Sequence, residues 1–227
     1  RTRDSRTTLR IMAAGRISVW LGAVLGVVFV GFGLYGASIL SFAFLVVVLG
    51  MVFLNVVYTA FLKRIIFADI LSIATLFVLR AVSGAMLISV VVSPWLILCP
   101  FFLSVFLSVG KRHGDVALLG DRAGLTREVL LGYTKDITSH LMIISTTLLV
   151  MSYALYSFLS GHNFLLVTLP FALFVVFRYY YLISIGSDVA RHPEKMWRDV
   201  PLVVGGILFG VVTVGVLYFS QIYTLIF

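Results

Sequence analysis

Long apolar runs, separated by short polar or charged segments, dominate the chain. Seven of these runs approach or exceed the roughly 20 apolar residues that a membrane-spanning helix needs, although the fourth is short. The pattern predicts an all-α fold, a polytopic transmembrane helix bundle. The predicted spans cover residues 17–36, 39–62, 65–91, 95–109, 141–159, 163–186 and 200–221.

The composition agrees with this class. Hydrophobic residues make up 61% of the chain and charged residues 11%, whereas soluble domains are about one-quarter charged. The net charge of +8 does not require a nucleic-acid partner, because membrane proteins collect cations in their cytoplasmic loops. The single cysteine, Cys99, lies inside an apolar run, which excludes a disulfide within the chain and indicates a small buried thiol.

The cations lie on one side of the predicted bundle. Alternating spans place four charged segments together: residues 1–16, the Lys63-Arg64 turn, the 110–140 loop and the 187–199 loop. The remaining turns carry no charged side chain. Because cytoplasmic loops are enriched in Lys and Arg, we expect a multi-pass protein of the cell membrane whose charged loops face the cytoplasm.

The sharpest change from apolar to charged residues lies at residues 110–122, where GKRHGDVALLGDR follows the apolar run WLILCPFFLSVFLSV. We call these residues the charged patch. Lys111 and Arg112 offer donors suited to phosphate. Asp115 and Asp121 offer hard oxygen ligands suited to Mg²⁺ that bridges to substrate phosphates. The mixture indicates a diphosphate–magnesium site, and the alternative is a solvated loop at the membrane surface.

Two arginines lie inside predicted spans. Arg80 stands about 15 residues into the third span, which is about 22 Å along a helix. A cation at that depth needs water or a partner and marks a candidate functional site. The alternative is a structural pair with a helix carbonyl. We expect Arg80 to line the same cavity as the charged patch, whereas Arg178 lies nearer the charged end and can reach the interface.

Several segments carry a family resemblance. MAAGRISVWLGAVLG resembles the stretch that opens the third span in the UbiA superfamily of intramembrane prenyltransferases, with G-R-I-S at its centre. NVVYTAFLKRIIFADILSIATLFVLRAVSGA is similar to that family's Y-x-x-x-x-K-R segment and the following helix with its internal arginine. SVGKRHGDVALLGDRAGLTREVLLGYT, with FRYYYL and RDVPL, looks most like the branch that makes decaprenylphosphoryl-5-phosphoribose.

The resemblance implies roles for particular residues. The second charged motif of the branch falls on Lys111, Arg112 and Asp115, and the six-residue spacing from Asp115 to Asp121 departs from the D-x-x-x-D pair of aromatic prenyltransferases. Asp115 and Lys111 are the expected catalytic residues, and Asp115 and Asp121 the expected metal ligands. For Tyr58 and Tyr133, two of the expected substrate-binding residues, the alternative is a position in the aromatic belt at the membrane interface. The expected substrate-binding residues are Tyr58, Lys63, Arg80, Lys111, Arg112, Arg127 and Tyr133.

The resemblance also bears on the number of helices. Members of the superfamily have nine, with an N-D-x-x-D-x-x-x-D motif at the end of the second, yet here G-R-I-S leads the first span. Nothing in residues 1–16 reproduces that motif, and Asp4 is the only acid there. We expect one UbiA-type transmembrane domain over residues 1–227 without the first two helices. Either the sequence is truncated or the protein is an inactive remnant.

The expected function follows from the resemblance. A 5-phosphoribosyl group would move from phosphoribosyl pyrophosphate to a polyprenyl phosphate from the membrane, and pyrophosphate would leave with Mg²⁺ as cofactor. Lys63, Lys111 and Arg112 would hold the diphosphate. The alternative is transfer of a prenyl chain from a prenyl diphosphate to an aromatic or other lipophilic acceptor. A transporter is a further alternative, against which the charge-free turns argue.

Overall fold

The computed structural model describes residues 18–119, 128–161, 164–187, 189 and 193–226. Within these ranges there is no strand, and seven helices are long and apolar enough to cross a membrane. The prediction of an all-α bundle with seven spans is therefore confirmed. The helices are α1 (Val19–Leu40), α2 (Phe42–Ala60), α3 (Ala68–Leu87), α4 (Pro94–Leu119), α5 (Lys135–Leu159), α6 (Leu169–Ser184) and α7 (Val200–Ile226).

Short 3₁₀ turns lead into four of the helices. Leu62–Arg64 and Glu128–Gly132 precede α3 and α5, and Leu165–Thr168 and Pro193–Arg198 precede α6 and α7. Two of these turns carry basic residues. The basic segments at these two points are therefore ordered turns attached directly to membrane helices.

The predicted loop over residues 110–140 is wrong at both ends. Helix α4 continues through Leu119, and α5 already begins at Lys135, where Thr134 caps it by accepting a hydrogen bond from the Ile137 amide at 3.1 Å. The error has a physical cause. Hydropathy detects where the chain leaves the apolar layer, but Lys, Arg, Ala and Leu continue a helix readily beyond that point.

Helix α4 lies at the centre of the bundle. It packs against α3 and α5 and touches α6, and α6 packs against α7. Gly110 permits the contact with α6, because a Cβ there would stand 2.5 Å from the Ile183 Cδ1 atom. Small residues let membrane helices approach closely in this way. The beginning of the charged patch is therefore held against α6 by its glycine.

Candidate functional site

A buried ion pair joins α3 to the charged patch on α4. The Asp69 Oδ2 atom accepts a hydrogen bond from the Arg112 Nε atom at 2.7 Å and forms an ion pair with the Nη2 atom, also at 2.7 Å. The Asp69 Oδ1 atom accepts a hydrogen bond from the Tyr133 hydroxyl at 2.7 Å. The side chains of Asp69 and Arg112 are 0% and 2% exposed. We call Asp69, Arg112 and Tyr133 the buried network.

Each member of the buried network depends on the others. An isolated charge inside a protein is strongly unfavourable, so buried ions persist where they are paired and hydrogen-bonded. Asp69 also lies in the first turn of α3, where the helix dipole favours a negative charge. Removing either ion would leave its partner as an unpaired buried charge, at a cost of about 3–5 kcal/mol.

Tyr133 ties a third segment into this network. Its hydroxyl donates to Asp69 and accepts a hydrogen bond from the Phe67 amide at 2.8 Å. Phe67 has a φ angle of 65°, a left-handed conformation that costs a non-glycine residue about 1–3 kcal/mol. Burial, followed by the hydrogen bond to Asp69, raises the pKa of Tyr133. The tyrosine therefore stays protonated and holds the backbone turn before α3.

The segment before α3 and the segment before α5 also meet through their side chains. A Cβ added to Gly132 would collide with the side chain of Ile66, and the rings of Phe67 and Tyr133 pack edge to face with centroids 5.9 Å apart. Lys63 lies on the Leu62–Arg64 turn just before this contact. The segment that precedes α5 is therefore pressed against the segment that carries Lys63.

Burial extends along the charged end of α4. Asp115 is 2% exposed and Lys111 is half-buried. The His113 Nδ1 atom lies 3.0 Å from the Thr138 Oγ1 atom on α5, so the histidine joins α4 to α5. At Arg112 and Asp115 the alternative of a solvated surface loop is therefore wrong.

The remaining predicted binding residues near this end are Tyr58 and Lys63, both half-buried. Tyr58 lies in the last turn of α2, and Lys63 follows it on the 3₁₀ turn. Arg127 and Asp121 lie outside the described residues. The roles predicted for these four residues stay predictions.

The described residues do not provide a metal site by themselves. Among them there is no group of three or more His, Cys, Asp or Glu side chains that could hold an ion, whereas Mg²⁺ prefers several oxygen ligands. The Asp69 carboxylate is occupied by Arg112 and Tyr133. The assignment of Asp115 and Asp121 to a metal therefore stays a prediction.

Arg80 faces a different part of the bundle. It lies 12 residues after the start of α3, about 18 Å along the helix, and it lines a cavity of about 710 Å³. None of residues 110–119 lines that cavity. The expectation that Arg80 shares a cavity with the charged patch therefore gains no support from this cavity and stays a prediction.

The cavity lies between five helices, α3 to α7, and its walls are almost entirely apolar. Pro100 lies inside α4 at this level, where its missing amide removes a backbone hydrogen bond from the helix. Along α3, Asp69 is eight residues from Phe77, the first cavity residue, or about 12 Å. The same helices thus carry the buried network at one end and the apolar cavity farther in.

Two features of this arrangement escaped the sequence analysis. Asp69 had no predicted role in the site, although an acid in the first turn of a membrane helix is expected to have a cationic partner. Arg178 forms a second ion pair. Its Nε and Nη2 atoms donate to the Asp199 Oδ1 and Oδ2 atoms at 3.0 and 2.8 Å.

This second pair fixes the start of α7. Asp199 also accepts the Leu202 amide at 2.9 Å and so caps the helix, and the Arg178 Cζ atom stands 5.3 Å from the centroid of the Tyr181 ring. The hydrogen bond from Arg178 lowers the pKa of Asp199 below its usual value. Arg178 therefore joins α6 to α7.

Comparison with known proteins gives consistent results. The model of the UbiA prenyltransferase family matches residues 2–197. The chain is similar to the decaprenyl-phosphate phosphoribosyltransferase of Mycobacterium tuberculosis (strain CDC 1551 / Oshkosh), with 26% identity over 191 residues, 82% of this chain and 62% of the relative. The Mycolicibacterium smegmatis protein of the same name is 24% identical over 200 residues, with the same two coverages.

A Corynebacterium glutamicum protein of that name is 36% identical over 97 residues, which are 42% of this chain and 29% of the relative. The chain spans less than two thirds of the length of these curated relatives, at 62% of the mycobacterial ones. The family model nevertheless covers well over half of the chain. The chain belongs to the UbiA prenyltransferase family.

Proposed function

We propose that this protein is a membrane transferase that moves a 5-phosphoribosyl group from phosphoribosyl pyrophosphate to a polyprenyl phosphate and releases pyrophosphate. The family supports a transferase of the prenyl type. The name shared by the mycobacterial and corynebacterial relatives supports the phosphoribosyl donor and the polyprenyl phosphate acceptor. We treat residues 1–227 as one transmembrane domain of this kind.

One observation carries the proposal: the bundle has a cationic end and an apolar cavity about 12 Å away along the same helices. Such an arrangement suits an amphiphile with an anionic head and a hydrocarbon tail. A cavity of about 710 Å³ is in the range that accommodates organic ligands. The polyprenyl chain would occupy the apolar cavity, and its phosphate would lie toward Lys111 and Arg112.

The chemistry needs positioning and charge stabilisation. A phosphate oxygen of the lipid would form a bond to the anomeric carbon of the ribose as the bond from that carbon to the diphosphate oxygen breaks. The leaving pyrophosphate takes the electron pair, and Lys63 and Lys111 would stabilise its charge. Arg112, which is hydrogen-bonded to Asp69, would add its positive charge from a position behind Lys63 and Lys111. Tyr58, Arg80 and Arg127 are the remaining proposed substrate-binding residues.

We assign Mg²⁺ to this proposal as the metal that would neutralise the diphosphate. Asp115 and Asp121 are its proposed ligands. The described residues do not form a metal cluster by themselves, and in the steps above the cations of the chain stabilise the leaving group. Mg²⁺ dependence of product formation is the corresponding measurement, and an enzyme fully active in a chelator would exclude this assignment.

The membrane orientation is part of the same proposal. The end of the bundle that carries Lys63, Lys111 and Lys195 would face the cytoplasm of the cell membrane. A cysteine placed at exposed Trp197 should then react with an impermeant reagent only after the cells are opened. Labelling of that cysteine from outside intact cells would show that the orientation is the opposite one.

The activity test uses the full chain in lipid nanodiscs with radiolabelled polyprenyl phosphate and phosphoribosyl pyrophosphate. We expect a labelled lipid phosphoribose and free pyrophosphate. Lys111→Ala should lower kcat/KM by about 10²-fold. Lys195→Ala makes the same change of net charge on the Pro193–Arg198 turn and serves as the matched control.

A second function is favoured by one observation, the aromatic side chains Tyr153 and Phe209 in the cavity wall. Aromatic faces stabilise a cation such as an allylic carbocation, which suits prenyl transfer to an aromatic or other lipophilic acceptor. Product from a prenyl diphosphate and an aromatic acid, with none from phosphoribosyl pyrophosphate, would replace the first proposal by this one. Absence of product with both donors would favour an inactive chain or a transporter.

A further inference from the structure

The hydroxyl of Tyr133 has its hydrogen committed inside the protein. A tyrosine hydroxyl has one hydrogen to donate, and here it is donated to the Asp69 Oδ1 atom at 2.7 Å. The residue is 3% exposed. Tyr133 therefore has no donor left for a substrate phosphate while the buried network is intact, which differs from the substrate contact that the family resemblance implied.

Asp69 is equally unsuited to direct contact with an anion. It is fully buried, and its two oxygens accept hydrogen bonds from Arg112 and Tyr133. A carboxylate would also repel a phosphate. Any effect of Asp69 on an anionic substrate must therefore act through the groups that it holds.

The groups held by Asp69 and Tyr133 belong to the two cationic segments. Asp69 fixes the Arg112 guanidinium on α4, next to Lys111. Tyr133 fixes the amide of Phe67, whose φ angle of 65° shapes the backbone between Lys63 and α3. Asp69 and Arg112, which join these segments, are 43 residues apart in the chain. The buried network sets their relative position.

We propose that Asp69 and Tyr133 are positioning residues that hold Arg112 and the Lys63 turn in one arrangement, so that Lys63 and Lys111 bind the diphosphate of the donor together. The inference rests on the proposed function, which assigns these cations to that diphosphate. It reassigns Tyr133 from the substrate to the support behind the cations. Preorganisation of this kind increases binding because less ordering remains to be done when the ligand arrives.

The test compares the full wild-type chain in nanodiscs with Tyr133→Phe, which keeps the ring and removes the hydroxyl. Asp69→Asn is less suitable because it leaves the Arg112 charge buried without its ionic partner. The matched control is Ser157→Ala. Ser157 is also buried, at 2% exposure, and its hydroxyl bonds the Tyr153 carbonyl at 2.9 Å near the far end of α5.

Two measurements are made on each variant. Hydrogen exchange of a peptide covering residues 62–69 reports on the Phe67 amide, and we expect exchange of that amide to become about tenfold faster in Tyr133→Phe. Binding of inorganic pyrophosphate, measured with a radiolabel, should weaken by about 5- to 20-fold in the same variant. Ser157→Ala should change neither quantity, and thermal unfolding midpoints show whether both variants remain folded.

The possible results separate the inference from the proposed function. Faster exchange with unchanged pyrophosphate affinity would make Tyr133 merely structural and overturn the inference. Unchanged exchange would show that Tyr133 does not hold the turn and would overturn it as well. If the wild-type chain binds no pyrophosphate, the proposed function fails, and the inference that depends on it fails for that separate reason.

Discussion

The α1–α2 pair and the α3–α7 bundle contrast in how they are packed, although both are strongly apolar. Helix α2 has no buried residue, and among the described side chains of α1 only Ala37 is buried. Helix α3 buries seven residues, several of them polar. In the described part of the chain, and leaving the tyrosines aside, every buried polar residue lies between Asp69 and Thr168.

This contrast shows how burial works in a membrane. The most apolar spans, α2 and α7, are among the least buried, and the less apolar α4 and α5 are packed inside. Lipid tails are as apolar as leucine, so apolar side chains gain little by leaving them for the protein interior. Polar and small residues gain more. High hydropathy therefore accompanies low burial in α1, α2 and α7, and α3 is the exception, since it is nearly as apolar as α1 but is packed inside.

The largest expected effect comes from a matched pair of phenylalanines, one in each region. Phe106 on α4 is 2% exposed and packs edge to face on Tyr179 with ring centroids 5.5 Å apart, whereas Phe53 on α2 is 70% exposed. Phe106→Ala should lower the free energy of unfolding by about 3 kcal/mol, because it opens a cavity. Phe53→Ala should change it by less than about 0.5 kcal/mol.

Denaturant unfolding in detergent micelles measures both changes. Phe53→Leu is a control for the loss of the aromatic ring alone. Equal destabilisation by the two alanine variants would mean that α2 is packed as tightly as α4, and the contrast between the regions would be lost.

A pair of glycines provides a more selective test. At Gly110 an added Cβ would stand 2.5 Å from the Ile183 Cδ1 atom, whereas at Gly50 on α2 it would meet nothing within 4 Å. Gly110→Ala should therefore destabilise the fold by about 1–2 kcal/mol through crowding of α4 against α6. Gly50→Ala should stabilise it slightly, by up to about 1 kcal/mol, because alanine favours the helix.

The same unfolding measurement gives the sign of each change. The Gly110→Ala variant should recover when Ile183 is also shortened to valine, since this removes the atom that the new Cβ would meet. If Ile183→Val gives no recovery, crowding at this contact is not the cause.

The sequence determined the fold more completely than the site. Apolar run length locates the seven helices, because each span must satisfy its backbone hydrogen bonds internally. The end of α4 and the start of α5 were missed because hydropathy falls in the charged segments although the helices continue through them. The motif positions identified Arg112 and Tyr133, but their partner Asp69 is 43 and 64 residues away in the chain. Only the packing of α3 on α4 reveals that partnership.

The smallest expected effect concerns the rim of the packed bundle, where Asp199 caps α7 and pairs with Arg178. The Arg178 hydrogen bond holds the pKa of Asp199 below its usual value, which is about 3.9 in an unfolded chain. The stability that the ionised carboxylate contributes is then fully present above about pH 4 and is lost as the pH falls through the lower folded-state pKa. Thermal unfolding midpoints of the wild type and Asp199→Asn should therefore differ at pH 7 and converge at lower pH.

The α1–α2 helices contain no acidic residue, so they cannot produce this pH dependence. Asp136→Asn, at an exposed carboxylate in the first turn of α5, controls for the loss of one negative charge. A difference between wild type and Asp199→Asn that persists unchanged at pH 2 would show that the carboxylate does not act through its ionisation.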